Sequence, residues 1–184
     1  MRCFAAVPIP ASHQQRLKGL VAALQGERLP VKWVAEGSFH VTLKFIGEVE
    51  ESLAGKVAVK LAEAAKGVPP LGLSLEGMGA FPARGRPRVI WVGVREGEER
   101  GDLARLASRM DAALEPLGIP REGRRFSPHL TIGRAREPLK EADRERLLRE
   151  FAAPAFLTSE VVLYQSLLQP GGPRYTVIKK FPLG

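Results

Sequence analysis

At 184 residues the chain is one domain or two small lobes, long enough to bury a real apolar core. A hydrophobic content of 45% with 26% charged residues excludes a disordered chain, and no apolar run nears the roughly 20 residues of a membrane helix. The net charge of +8 calls for a polyanionic partner, nucleic acid most simply, or else for a solubilising surface.

A single cysteine, Cys3, excludes an internal disulfide framework and fits a reducing interior. Met1–Pro8 reads as a short strand ended by proline rather than as a signal peptide, so the expected location is the cytoplasm. Arginine outnumbers lysine 19 to 9, which favours forked phosphate contacts. The same bias, with no asparagine in the chain, also fits a thermophile's composition.

In chain order, Arg2–Val7 is an apolar strand. Pro10-Ala11-Ser12 opens a helix whose Leu17, Leu20, Val21 and Leu24 fall on one stripe, with Gly26 as its stop. His13, in its first turn, reads as a surface residue. Val31–Val34 is a short strand, Ser38–Gly47 a longer one, and Leu53, Val57, Leu61 and Ala64 mark the next helix, broken at Gly67–Pro70. Leu71–Phe81 alternates as a strand, Pro82–Pro87 is a loop, and Arg88–Val94 returns from it. Leu103, Leu106, Ala107, Met110, Leu114 and Leu117 give a third helical stripe, followed by the basic segment Arg121–Arg125. After the strand near His129, Glu137-Pro138 starts a charged helix with Leu147, Leu148 and Phe151 on its apolar side. Phe156–Leu168 reads as one strand, Gln169–Pro173 as a loop and Arg174–Phe181 as the last strand.

Two stretches repeat each other. Ser38-Phe39-His40-Val41-Thr42-Leu43 and Ser127-Pro128-His129-Leu130-Thr131-Ile132 share Ser-x-His-apolar-Thr-apolar, 89 residues apart, and they hold two of the chain's three histidines. On a strand, His and Thr of each copy share one face while the apolar pair points to the core. Gly85-Arg86-Pro87-Arg88 likewise echoes Gly172-Pro173-Arg174. The order of elements repeats as well, so the chain is expected to be one bilobal unit built by duplication, approximately residues 1–85 and 86–184. The expected fold is α+β: two pseudo-symmetric lobes, each an antiparallel sheet with helices on its outer face, and a cleft between the sheets.

A lone His-x-Thr on a strand is most simply a polar pair on a wet sheet face, but packing does not require both copies to keep it. Zinc lacks a third ligand at suitable spacing, so no metal and no cofactor is expected. No strained Gly-x-Ser-x-Gly turn supports a serine triad. Two facing imidazoles suit metal-free displacement at phosphorus, one taking a proton from the attacking oxygen and one giving a proton to the leaving oxygen. Threonine hydroxyls and arginine donors can hold the non-bridging oxygens.

His40-Val41-Thr42-Leu43-Lys44-Phe45-Ile46-Gly47 and His129-Leu130-Thr131-Ile132-Gly133-Arg134 resemble the paired signatures of the two-histidine phosphoesterases, among them the RNA 2′,3′-cyclic phosphodiesterases, also called 2′-5′ RNA ligases. Trp33 before the first motif and Pro128 before the second extend the likeness along the chain. The resemblance implies hydrolysis of a 2′,3′-cyclic phosphate end of RNA to a 2′-phosphomonoester, tRNA fragments being one candidate. It implies His40 as proton donor to the 3′ oxygen, His129 as base, and Thr42 and Thr131 as phosphate-binding hydroxyls. Arg134 would be a further phosphate contact. Phe45 matches a family position too, although strand alternation turns it toward the core. The reverse reaction would join a 5′-hydroxyl through a 2′-5′ linkage. Two other readings stay open: a related phosphoesterase for a small cyclic nucleotide or a 2′-5′ oligonucleotide, and a non-catalytic protein that binds RNA ends. The clusters Arg84/Arg86/Arg88 and Arg121/Arg124/Arg125 favour a polymer, and a monomer is the simpler expectation.

Overall fold

The computed structural model describes residues 1–97, 101–169 and 172–184. Among these the chain runs β1 (Arg2–Pro8), α1 (Ala11–Gln25), β2 (Val31–Trp33), β3 (His40–Glu48), α2 (Glu51–Ala65), β4 (Leu71–Phe81) and β5 (Val89–Glu96). It continues through α3 (Asp102–Leu114), β6 (His129–Ala135), the four-residue α4 (Arg144–Leu147), β7 (Ala152–Thr158), β8 (Glu160–Gln169) and β9 (Gly172–Pro182).

The strands form two sheets, ordered β3-β1-β8-β9 and β2-β6-β5-β4-β7, and every pairing is antiparallel. This is the expected α+β fold with a histidine strand in each sheet. Each half of the sequence gives its first strand and its histidine strand to one sheet, then sends its next long strand to the other. Thus β4 pairs with β5, and β8 pairs with β1. The sheets are therefore laced together by strands from both halves.

β1 is apolar on both faces because it is a central strand, with Cys3 through Val7 all buried. The helices cover apolar sheet faces with narrow stripes: Leu17, Val21 and Leu24 on α1; Val57, Leu61 and Ala65 on α2; Leu103, Leu106, Met110 and Leu114 on α3. α1 stops at Gly26, whose N–H donates to the carbonyls of Ala23 and Leu24. α3 starts against the Glu96 carboxylate, which accepts the N–H groups of Gly101 and Leu103. That carboxylate satisfies donors a helix start leaves orphaned. None of the helices described is long and apolar enough to cross a membrane.

At three places the fold departs from what the sequence pattern predicts. The segment after Glu137 forms a short 3-10 turn (Glu141–Asp143) and α4, not a full charged helix. Its side chains are taken up elsewhere: Arg144 donates to the carbonyls of Pro82 and Gly85, and Arg146 and Arg149 pair with Glu27. Only Leu139 and Leu147 are buried along it, too few apolar anchors for an amphipathic stripe. Phe156–Leu168 is not one strand. It breaks at Ser159, where the chain leaves the β4 edge as β7 and joins β1 as β8. His13 is buried rather than superficial: its Nε2 meets the Pro154 carbonyl at 2.8 Å, and its ring lies edge-on to Phe156. Of the loop read at Gln169–Pro173, residues 170–171 lie outside the described residues.

Candidate active site

β3 and β6 carry the repeated motif in the same way. His40 and Thr42 are half-buried while Val41 and Leu43 are buried; His129 and Thr131 repeat this against Leu130 and Ile132. Both strands then break alternation at the same place. Against β1, Thr42 pairs with Ala6 and Lys44 with Ala5, leaving Leu43 as an extra residue. Against β5, Thr131 pairs with Trp91 and Gly133 with Ile90, leaving Ile132 extra. A bulge of one residue flips every later side chain to the other face. Lys44 is therefore buried, and Phe45 is 56% exposed on the cleft side, not in the core as alternation implied. Arg134, at the same place in β6, is turned outward by the matching bulge.

His40, Thr42, Phe45, His129, Thr131 and Arg134 all line one open cavity of about 570 Å³. All six side chains singled out in the sequence thus meet at one site. In each motif the histidine Nδ1 lies 2.8 Å from the carbonyl oxygen two residues earlier, Ser38 or Ser127. A carbonyl can only accept, so Nδ1 carries the hydrogen and Nε2 is left as the exchangeable nitrogen.

The two rings differ in their walls. His40 sits against Phe4 at 4.7 Å and edge-on to Tyr175 at 5.1 Å, with Tyr164 behind. Burial among these rings, opposed by the Ser38 hydrogen bond and aided by the Arg134 charge, lowers its pKa to about 4. His40 is therefore neutral at neutral pH in the free protein. His129 has Phe81 edge-on at 5.0 Å and Trp91 at 6.3 Å. The Trp91 ring needs the bare backbone of Gly79 beneath it, where a Cβ would come within 2.1 Å of the indole.

Phe4, Tyr175 and Arg2 also line this cavity, and Tyr164 stands behind His40; the motif reading missed all four. The signal was slight: Tyr164 and Tyr175 are the chain's only tyrosines, one on each of the two neighbouring strands β8 and β9. Burial holds both phenols above their ordinary pKa; Glu160 adds to this at Tyr164, while Arg134 and Arg2 oppose it at Tyr175. The arginine clusters divide. Arg86 is tied to the carbonyls of Pro138 and Leu139, and Arg121 to Asp111 and Glu115, whereas Arg84, Arg88, Arg124 and Arg125 are exposed. Among the described residues no group of three or more His, Cys, Asp or Glu is arranged to hold a metal ion.

The family model described as LigT like phosphoesterase matches this chain twice, over residues 7–91 and 93–175. A protein of Archaeoglobus fulgidus named RNA 2′,3′-cyclic phosphodiesterase is 36% identical, covering 98% of this chain and 99% of its own length. One of the same name from Aquifex aeolicus is 38% identical over 83% of this chain and 82% of its own. Among solved structures, a Thermus thermophilus protein superposes with a TM-score of 0.84 at 30% identity, covering 100% of this chain and 98% of that one. Apo Escherichia coli LigT superposes with a TM-score of 0.79 at 25% identity, covering 99% of this chain and 96% of that one.

Proposed function

Because the chain belongs to the LigT-like phosphoesterase family, we propose that it hydrolyses 2′,3′-cyclic phosphate ends of RNA to 2′-phosphomonoesters without a metal. The observation that carries this reading is the paired orientation of the two imidazoles. Each is locked through Nδ1, each leaves Nε2 for proton exchange, and each shares its cleft face with a threonine.

In the proposed cycle, His129 Nε2 takes a proton from water as the water oxygen bonds to phosphorus. The bond from phosphorus to the 3′ oxygen breaks opposite, and His40 Nε2 delivers a proton to that oxygen. The product carries a 2′-phosphate and a 3′-hydroxyl, and the two rings exchange protonation states. Thr42 and Thr131 hydroxyls and the Arg134 guanidinium hold the non-bridging oxygens as charge builds. The exposed Phe45 ring offers the terminal base an apolar face. With a 5′-hydroxyl in place of water, the same transfers give a 2′-5′ linkage. The twofold family match supports reading the chain as an internal duplication, with each copy supplying one half of the acid–base pair.

His40 can donate only after it is protonated, and a pKa depressed in the free protein is compatible with its taking up that proton as substrate binds. The anionic phosphate entering beside it offsets the Arg134 charge and favours the imidazolium. The test is incubation with an oligoribonucleotide ending in 2′,3′-cyclic phosphate in the presence of a chelator. A 2′-phosphomonoester product is expected; an unchanged end, or a product formed only on adding a divalent ion, would overturn the reading.

A further inference from the structure

The sheet that carries His129 presents a second cation next to Arg134 that the reaction above does not use. Lys32, on β2, stands directly opposite Arg134 of β6 in the strand register. Directly opposed residues of an antiparallel pair share a face, so Lys32 stands on the same side as Arg134, at the cleft's rim. Both side chains are exposed, and among the described residues neither joins an ion pair.

Like charges placed opposite each other on a sheet repel. Here nothing in the described fold offsets them, so the site is complementary to an anion. The other sheet borders it too. A side-chain carbon at Gly172, at the start of β9, would lie 3.5 Å from Lys32 Cε and 3.9 Å from Nζ, which sets the ammonium beside the first residue of β9. Arg134 reaches inward far enough for its charge to act on His40 and Tyr175. Lys32 stands one strand further out, about 4.8 Å along the sheet. An anion held between them is thus displaced from the reacting phosphate toward the edge of the sheet.

We propose that Lys32, beside an Arg134 whose guanidinium has donors enough to bridge from the reacting phosphate, forms a second phosphate subsite, which takes the phosphate on the 5′ side of the terminal nucleotide. The inference rests on the hydrolytic reading for its orientation. It makes the enzyme prefer a chain end, or a 5′-phosphorylated nucleotide, over a bare cyclic mononucleotide.

The test compares nucleoside 2′,3′-cyclic phosphate with and without a 5′-phosphate. In the wild type the 5′-phosphate should lower KM about tenfold, the scale of one charge-assisted contact. Lys32→Met keeps the stem and removes the charge, and should bring that ratio close to one; Lys32→Arg should retain most of it. The wild-type ratio should shrink as salt rises. A wild-type ratio of one, or a ratio that survives in Lys32→Met, overturns the subsite. If the wild type opens neither compound, the hydrolytic reading fails by itself. Calorimetry with nucleoside 2′,5′-bisphosphate against the 2′-monophosphate then still decides the subsite: a 5′-phosphate preference lost in Lys32→Met supports it, and no preference overturns it.

Discussion

Lys44 Nζ lies 2.6 Å from Asp111 Oδ1, with both side chains almost wholly buried, and so ties the strand of one histidine to the segment that leads into the other. The same ammonium donates to the Pro120 carbonyl at 2.7 Å, and the Asp111 carboxylate accepts the Glu122 N–H and faces Arg121. Burial alone would raise the Asp111 pKa. The hydrogen bonds from Lys44, Glu122 and Arg121 outweigh it and hold the carboxylate below its ordinary value.

Asp111→Ala should therefore cost roughly 3–5 kcal/mol, since it leaves a buried ammonium unpaired. Replacing both partners, Lys44→Met with Asp111→Leu, should cost clearly less than the sum of the two single changes. Denaturant unfolding of the four proteins checks this. Because the folded pKa of Asp111 lies below the unfolded one, its contribution is complete above the unfolded carboxylate pKa and is lost as pH falls through the folded value. Asp111→Asn should flatten that acid limb of the stability profile.

His40 makes the opposite demand on the fold. Its pKa of about 4 lies below the ordinary 6.5, so between those values the unfolded chain binds a proton that the native cleft refuses. Stability should fall as pH drops from 6.5 toward 4, by up to about 3 kcal/mol from this group. His40→Gln should remove that part of the loss, read as melting temperature against pH. In NMR titration His40 should stay neutral down to about 4 in the free protein, then rise by a unit or more with a bound nucleoside 2′-phosphate. An unmoved His40 in the complex would contradict the proton-donor role proposed for it.

His13 packs apart from the cleft. Its ring spans Ser12 and the Pro154 carbonyl beneath Phe156, away from the cleft lining. His13→Ala should lower stability by about 1–3 kcal/mol through lost packing and an unsatisfied buried carbonyl. Turnover measured well below the melting point should stay within a few-fold of the parent.

What the sequence made legible was whatever its local pattern dictates. Leu71–Phe81 could be bounded from the alternation of Leu71, Leu73 and Leu75 between two proline-rich breaks, and α1 from Pro10, its stripe and Gly26. The repeated His-x-Thr pointed to one cleft because a strand must put both residues on one face. What stayed hidden depends on distant partners. His13 is buried by a carbonyl 141 residues away, and the charges after Glu137 are spent on Glu27, Pro82 and Gly85. Phe45 was misread because the extra residue at Leu43 has no signature of its own. The following Lys44 occupies a core position that no hydropathy pattern assigns to lysine until Asp111 is seen opposite it.

The acid–base pair itself gives the most direct prediction. One positioned acid or base is worth roughly 100- to 10,000-fold in rate, so His40→Ala and His129→Ala should each lose about that much turnover on a cyclic-phosphate end. In the proposed mechanism the rings serve one transfer cycle, so the double variant should fall well short of the product of the single losses. Thr42→Ala and Thr131→Ala should cost less, about 0.5–1.5 kcal/mol each, rising toward ~3 where the hydroxyl meets charged phosphate. The pH–rate profile should be bell-shaped, because one imidazole must be neutral while the other is protonated. Its alkaline limb in kcat, where the donor loses its proton, should lie well above the value of about 4 that His40 has in the free protein, because bound phosphate lifts it. Rapid-quench measurement of single turnovers separates this chemistry from product release. A folded His40 or His129 variant that keeps its single-turnover rate within a few-fold of the parent would remove that histidine from the mechanism.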